Sequence, residues 1–284
     1  MSGPIAVVSG RFQYGHYELA YEVYGTTGVP CLLIHGLLLD SLINRDLALR
    51  FAAQGFRVVL LDLLGHGLSS KPTDPREHRI DFYAGHVLAC LDHLGIERAV
   101  IGGVSLGAIT ALQTAAMAPQ RCLGLFIEMP VMEWSTTFAA MLLVPLLTVV
   151  DYMQWFYRPL ARGLRRLPRP RTPWAASALN AVSAEPEVIT AVLHGILVGP
   201  VVPAMAVRRQ LTMPALVIGH AGDRLHSFRD AVVLARELPN AKLLKAHSML
   251  ELRRSPDRLW QEILPFLQQF LGKNKKVARR LTQA

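Results

Sequence analysis

Cysteine is scarce, with three in 284 residues. Cys31, Cys90 and Cys122 are odd in number, far apart and set in apolar stretches, which excludes a disulfide framework and reads as reduced core residues. Charge is also sparse, at 18% of residues against 51% hydrophobic, and a mean hydropathy of +0.29 is too high for a disordered chain. There is no His-Glu-x-x-His, no Cys-x-x-Cys and no pair of carboxylates at ligand spacing, so no metal site is expected. A glycine-rich phosphate loop with its lysine is missing too, no cofactor is called for, and no internal repeat is found. Met1 to Gly10 has neither a basic segment nor a long apolar one. It does not read as a secretory signal, and a cytoplasmic protein is expected.

What the chain does have is a basic excess with a definite address. The net charge is +9, but residues 1–150 hold nine basic against twelve acidic side chains, 151–210 eight against three, 211–272 eight against six, and 273–284 five against none. A nucleic-acid binder would spread its cations over a whole face, so nucleic acid is not expected as a partner.

Short apolar runs alternate with helical patterns. Ile5 to Val8, Tyr17 to Tyr24, Cys31 to His35 and Val58 to Asp62 read as strands, and Ser41 to Gln54 reads as a helix between the last two, stopped by Gly55. Asp81 to Leu94, the strand Ala99 to Gly102, a helix from Ser105 towards Met117 and the strand Leu123 to Glu128 extend the series. It resumes with Ala215 to Gly219, Phe228 to Leu238, Lys242 to Ala246 and Asp257 to Leu271. Alternation of this kind predicts an α/β fold with a mostly parallel, doubly wound sheet. The division expected is a core in two parts, 1–128 and 212–272, an inserted segment 129–211, and a basic, frayed tail 273–284.

The insertion differs in composition. Trp134 to Val150 carries no charge, yet it is shorter than the roughly 20 residues a membrane span needs and is broken by Pro145, so a buried or substrate-facing helix is expected. Met132, Trp134, Phe138, Met141, Leu142, Tyr152, Met153, Trp155 and Phe156 are its candidate lining residues, with Leu37 to Leu39 beneath. Tyr157 to Pro173 then holds six arginines, at 158, 162, 165, 166, 169 and 171. They read either as a solvated face with a proline-rich loop or as a basic patch suited to peripheral contact with an anionic membrane.

The strongest chemical signal is Gly103-Val104-Ser105-Leu106-Gly107. It sits directly after an apolar strand and before a helix rich in alanine and leucine, where a sharp turn raises a serine hydroxyl above the sheet. The plain alternative is a strand-to-helix turn with a capping serine. A serine hydroxyl needs a base, a group that orients the base, and donors for the developing oxyanion. With His35-Gly36 at the end of the third strand and Asp62-Leu63-Leu64-Gly65-His66-Gly67 after the fourth, the chain from about Phe12 to Leu271 resembles the α/β-hydrolase superfamily.

That resemblance implies an α/β-hydrolase fold in which the insertion is a helical cap. It also implies Ser105 as nucleophile, the Leu37 and Leu106 amides as oxyanion hole, and His35, Gly36, Gly103 and Gly107 as structural motif residues. Asp223, in His220-Ala221-Gly222-Asp223 after the strand that follows the cap, is the implied acid, with Glu128 as its rival. His247 occupies the implied position of the base, although Ala246 stands where the family usually has glycine. His226, close to Asp223, is the rival base. His66 reads as a loop residue, and His16, His78, His86, His93 and His194 as surface or capping residues. The function implied is an esterase or lipase-like serine hydrolase acting on small apolar esters. Thioesterase, amidase, lactonase, carbon-carbon hydrolase and haloperoxidase chemistry, or a non-catalytic ligand-binding member, are the alternatives.

Overall fold

Cys31 to Ile34 and Val58 to Leu61 are apolar at every position, the pattern of strands buried on both faces. In the computed structural model, which describes residues 4–223 and 225–281 with side chains through Gly272, they lie at the centre of an eight-stranded sheet. The strands are β1 (Val7–Tyr14), β2 (Tyr17–Tyr24), β3 (Val29–Ile34), β4 (Phe56–Leu61), β5 (Ala99–Val104), β6 (Cys122–Glu128), β7 (Ala215–His220) and β8 (Ala241–Ala246). Their order is β1-β2-β4-β3-β5-β6-β7-β8. The β1–β2 and β2–β4 pairs are antiparallel and every later pair is parallel.

The helices are α1 (Arg45–Ala53), α2 (Ile80–His93), α3 (Leu106–Met117), α4 (Glu133–Tyr152), α5 (Gln154–Arg165), α6 (Pro173–Val182), α7 (Pro186–Val198), α8 (Met205–Arg208), α9 (Phe228–Glu237), α10 (Glu251–Arg254) and α11 (Asp257–Leu281). Side chains alternate along each strand, so one sheet supplies two cores. Leu32, Ile34, Val59 and Leu61 pack with α2, α3 and α9. Cys31, Leu33, Val58 and Leu60 pack with α1 and α11. All three cysteines are free and buried.

Three expectations need correction here. The first strand is Val7–Tyr14, not Ile5 to Val8: a two-residue turn at Gly15 (φ 61°) pairs Tyr14 with Tyr17, and only Phe12 points inward, so the run shows little apolar signal. His78 and His86 are fully buried, not on the surface; the His78 ring bonds the Tyr83 hydroxyl and the Pro72 carbonyl. The backbone of the tail, read as frayed, continues α11 to Leu281, while residues 282–284 lie outside the described residues.

Helices α4 to α8 stand between β6 and β7, at the carboxyl edge of the parallel strands where open α/β sheets bind ligands. The attachment of α4 is specific. Asp230 of α9, fully buried, accepts hydrogen bonds from the backbone N–H groups of Met132, Trp134 and Ser135 at 2.8–3.0 Å, which satisfies donors left free at a helix start.

Candidate active site

The turn from β5 to α3 is forced by its neighbours. A Cβ on Gly103 or Gly107 would run into the Ile34 carbonyl oxygen, so only glycine lets the elbow sit against β3. Ser105 between them has φ 54° and ψ −110°, a conformation costly for a residue with a side chain and typical of functional positions. The Ser105 N–H donates to the Glu128 carbonyl at 2.9 Å, fixing the turn to β6.

The Ser105 hydroxyl meets His226, not His247. His226 Nε2 lies 2.9 Å from Ser105 Oγ, and His226 Nδ1 lies 2.7 Å from Asp223 Oδ2. With a neutral ring, Nδ1–H donates to the carboxylate and Nε2 accepts from the serine, a tautomer assigned from the partners. Asp223 Oδ1 accepts from the Leu225 and His226 backbone N–H groups at 2.9 and 3.1 Å. Burial works to raise the Asp223 pKa, but the His226 hydrogen bond and charge, with these two amides, outweigh it and hold the carboxyl below its ordinary value.

The His247 assignment is therefore corrected by the geometry. His247 is exposed at the end of β8, and its backbone N–H is held by the Glu251 carboxylate. Among the described residues its ring bonds neither Ser105 nor Asp223. Asp223 and His226 lie three residues apart in one loop after β7, with Gly222 (φ 74°) making the turn. The signal for this was the Asp-x-x-His spacing, which lets a carboxylate and an imidazole share one short turn.

Glu128, the rival acid, faces elsewhere. Arg253 donates to both its oxygens, at 3.2 and 2.7 Å, and to Asn44 Oδ1 at 3.1 Å. Burial pushes the Glu128 carboxyl up, but the charges and hydrogen bonds of Arg253 and His220 together outweigh it, and the net shift is downward. His35 and His66 are likewise structural. His35 Nδ1–H donates to the Gly36 carbonyl and its Nε2 accepts from the Leu63 N–H; His66 Nδ1–H donates to the Leu64 carbonyl. Burial lowers the pKa of both rings. Asp62 accepts from the Ser41 and Leu68 N–H groups, tying the two loops together.

Ser105 and His226 open into a cavity of about 470 Å³ whose walls include Leu37, Leu38, Leu106, Ile109, Met129 and Val131. Leu37 and Leu106 are thus at the same cavity as Ser105, and Leu106, opening α3, has an N–H with no partner within the helix. The wall contributed by α4 is Thr136, Ala139, Ala140 and Leu143. Of the expected lining residues Leu37 to Leu39 are there, but Trp134, Phe138, Met141, Leu142, Tyr152, Met153, Trp155 and Phe156 are exposed and Met132 is buried in the core. A helix apolar all round carries no phase information, so composition could not say which face turns inward. Among the described residues no group of His, Cys, Asp or Glu suited to a metal ion occurs.

Comparison with known proteins agrees with this architecture. Residues 29–167 match the family model described as the alpha/beta hydrolase fold. The enol-lactonase structure from Burkholderia xenovorans LB400 superimposes with a TM-score of 0.74 at 21% identity, covering 91% of this chain and 100% of that one. The chain has the α/β-hydrolase fold, and residues 29–167 carry that family's sequence pattern. In sequence it is 33% identical over 103 residues to 3-oxoadipate enol-lactonase 2 of Acinetobacter baylyi, and 35% identical over 96 residues to 2-hydroxymuconate semialdehyde hydrolase of a Pseudomonas species. The matched stretches cover 36% and 33% of this chain, and only 38% and 34% of those two relatives' own lengths.

Proposed function

We propose that the protein is a serine hydrolase of carboxylic esters, cyclic or open, with an apolar acyl or alkyl group. The observation that carries this reading is the hydrogen-bonded series Asp223–His226–Ser105 opening into an apolar cavity. Ser105 Oγ attacks the acyl carbon while His226 Nε2 takes its proton, and Asp223 offsets the charge of the imidazolium. The oxyanion of the tetrahedral intermediate faces the Leu37 and Leu106 N–H groups. His226 then protonates the leaving alcohol, and water, activated by the same ring, cleaves the acyl-enzyme.

The two enol-lactonase relatives support an ester bond as the target. The muconate semialdehyde hydrolase supports a second reading, carbon-carbon bond hydrolysis on the same residues. A bound, ionised Asp223 and a base within reach of the nucleophile argue against a non-catalytic member. Turnover of nitrophenyl esters of increasing chain length, of aliphatic lactones and of a vinylogous 1,5-diketone, by wild type and Ser105→Ala, tests the proposal. Ester or lactone cleavage that disappears in Ser105→Ala supports it. Diketone cleavage alone selects the second reading, and activity that survives Ser105→Ala overturns both.

A further inference from the structure

The two faces of α4 meet different surroundings. Thr136, Ala139, Ala140 and Leu143 turn to the cavity and Ser135 and Val150 are buried, whereas most of the remainder, uncharged from Trp134 to Val150, turns outward, and only 17% of the helix's apolar window is buried. Tyr152 is 80% and Trp155 75% exposed, and Trp134, Met141, Leu142 and Phe156 are exposed by half or more. Apolar surface this continuous marks an interaction site. By length and composition α4 is able to cross a membrane, but its start is held by Asp230, Val150 packs against Ile189 and Leu193 of α7, and its inner residues wall the cavity. The helix belongs to the protein body and presents one side.

The neighbouring α5 extends that side and adds charge. At about 100° per residue, Trp155, Phe156, Leu160, Arg162 and Arg166 fall within one arc of roughly 160°, and all five are exposed. Arg158 and Arg165 have partners in Glu187 and Glu185. Among the described residues, Arg162, Arg166, Arg169 and Arg171 are exposed and no carboxylate forms a salt bridge with them. Aromatic and aliphatic side chains interleaved with unneutralised arginines are the composition of a helix lying in a headgroup layer, rings at the acyl boundary and guanidinium groups on phosphates.

We infer that the outer face of α4 and α5 is a docking surface for an anionic lipid bilayer. Charge selects this occupant. A second copy of the chain, meeting the same patch about a two-fold axis, would set arginines near arginines and leave them unneutralised, while an anionic headgroup layer supplies their counter-charge. Docking does not depend on the reaction at Ser105, so Ser105→Ala binds as wild type does.

Flotation with phosphatidylcholine vesicles, with and without phosphatidylglycerol, tests this. The full chain is expected to float with the anionic vesicles, to release as salt rises, and to show a blue shift of tryptophan emission. Each arginine near such a surface contributes roughly fivefold in affinity. Replacing Arg162 and Arg166 with Gln should therefore weaken binding by about twentyfold. Replacing Met141, Tyr152 and Trp155 with Ser should abolish the blue shift while the circular dichroism spectrum stays unchanged. Equal binding to neutral and anionic vesicles, or no binding by a correctly folded wild type, overturns the inference. So does a salt-insensitive dimer in sedimentation that dissociates on the Met141, Tyr152 and Trp155 substitutions, because the patch would then be an interface between copies.

Discussion

The loops that follow β7 and β8 each offer a histidine at the carboxyl edge of the sheet, and only one is built around it. After β7, Gly222 turns the chain, Asp223 is fixed by two amides, and His226 is held between that carboxylate and Ser105. After β8, Glu251 braces the backbone at His247 while its ring stays in solvent. What separates the two rings is the set of partners that fixes a tautomer and its reach, not position in chain order.

The largest effect that divides the two loops is expected from His226→Ala, which should reduce kcat by about ten thousandfold or more, as Ser105→Ala should. His247→Ala should stay within about threefold of wild type. Steady-state kinetics on a nitrophenyl ester decides, and the reverse ranking would break the contrast. Asp223→Asn should cost roughly a thousandfold or more, whereas Glu128→Gln should leave KM nearly unchanged.

Next comes the attachment of α4. Asp230→Ala strips three N–H groups, two of them buried, of their acceptor, and a loss of about 3 kcal/mol in chemical denaturation is expected. A loss below 1 kcal/mol would mean that water replaces the carboxylate.

The smallest effect concerns pH. The folded-state pKa of Glu128 is lowered, so its pairing with Arg253 contributes stability above the ordinary carboxylate range and loses it as pH falls through the folded value. Stability should therefore drop on acidification more steeply in wild type than in the Glu128→Gln/Arg253→Met double variant. At neutral pH the double variant should lie within about 2 kcal/mol of wild type, since desolvation offsets much of a buried pair. Parallel acid melting curves would remove Glu128 from the account.

The sequence made some of this legible and hid the rest for physical reasons. Uninterrupted apolar runs such as Leu32 to Ile34 announce buried parallel strands, and Gly103 and Gly107 announce the elbow because no other residue fits beside Ile34. The choice between His226 and His247 was hidden because it rests on loop backbone angles around Asp223, which leave no periodic trace. The outward turn of Trp155 and Tyr152 was hidden for a related reason: an uncharged helix does not advertise which side is covered. Arg253, which pairs with Glu128, and Asp230, which holds α4, were missed because each works through partners more than 90 residues distant in sequence.

The Asp230 contacts bear on how such a chain diversifies. Its carboxylate binds peptide N–H groups, which every residue except proline supplies, so the joint makes few demands on the identity of what it holds. Side chains at the start of α4 can therefore change without loosening this joint, and the loop that carries His226 keeps a fixed point of attachment one turn downstream of that ring.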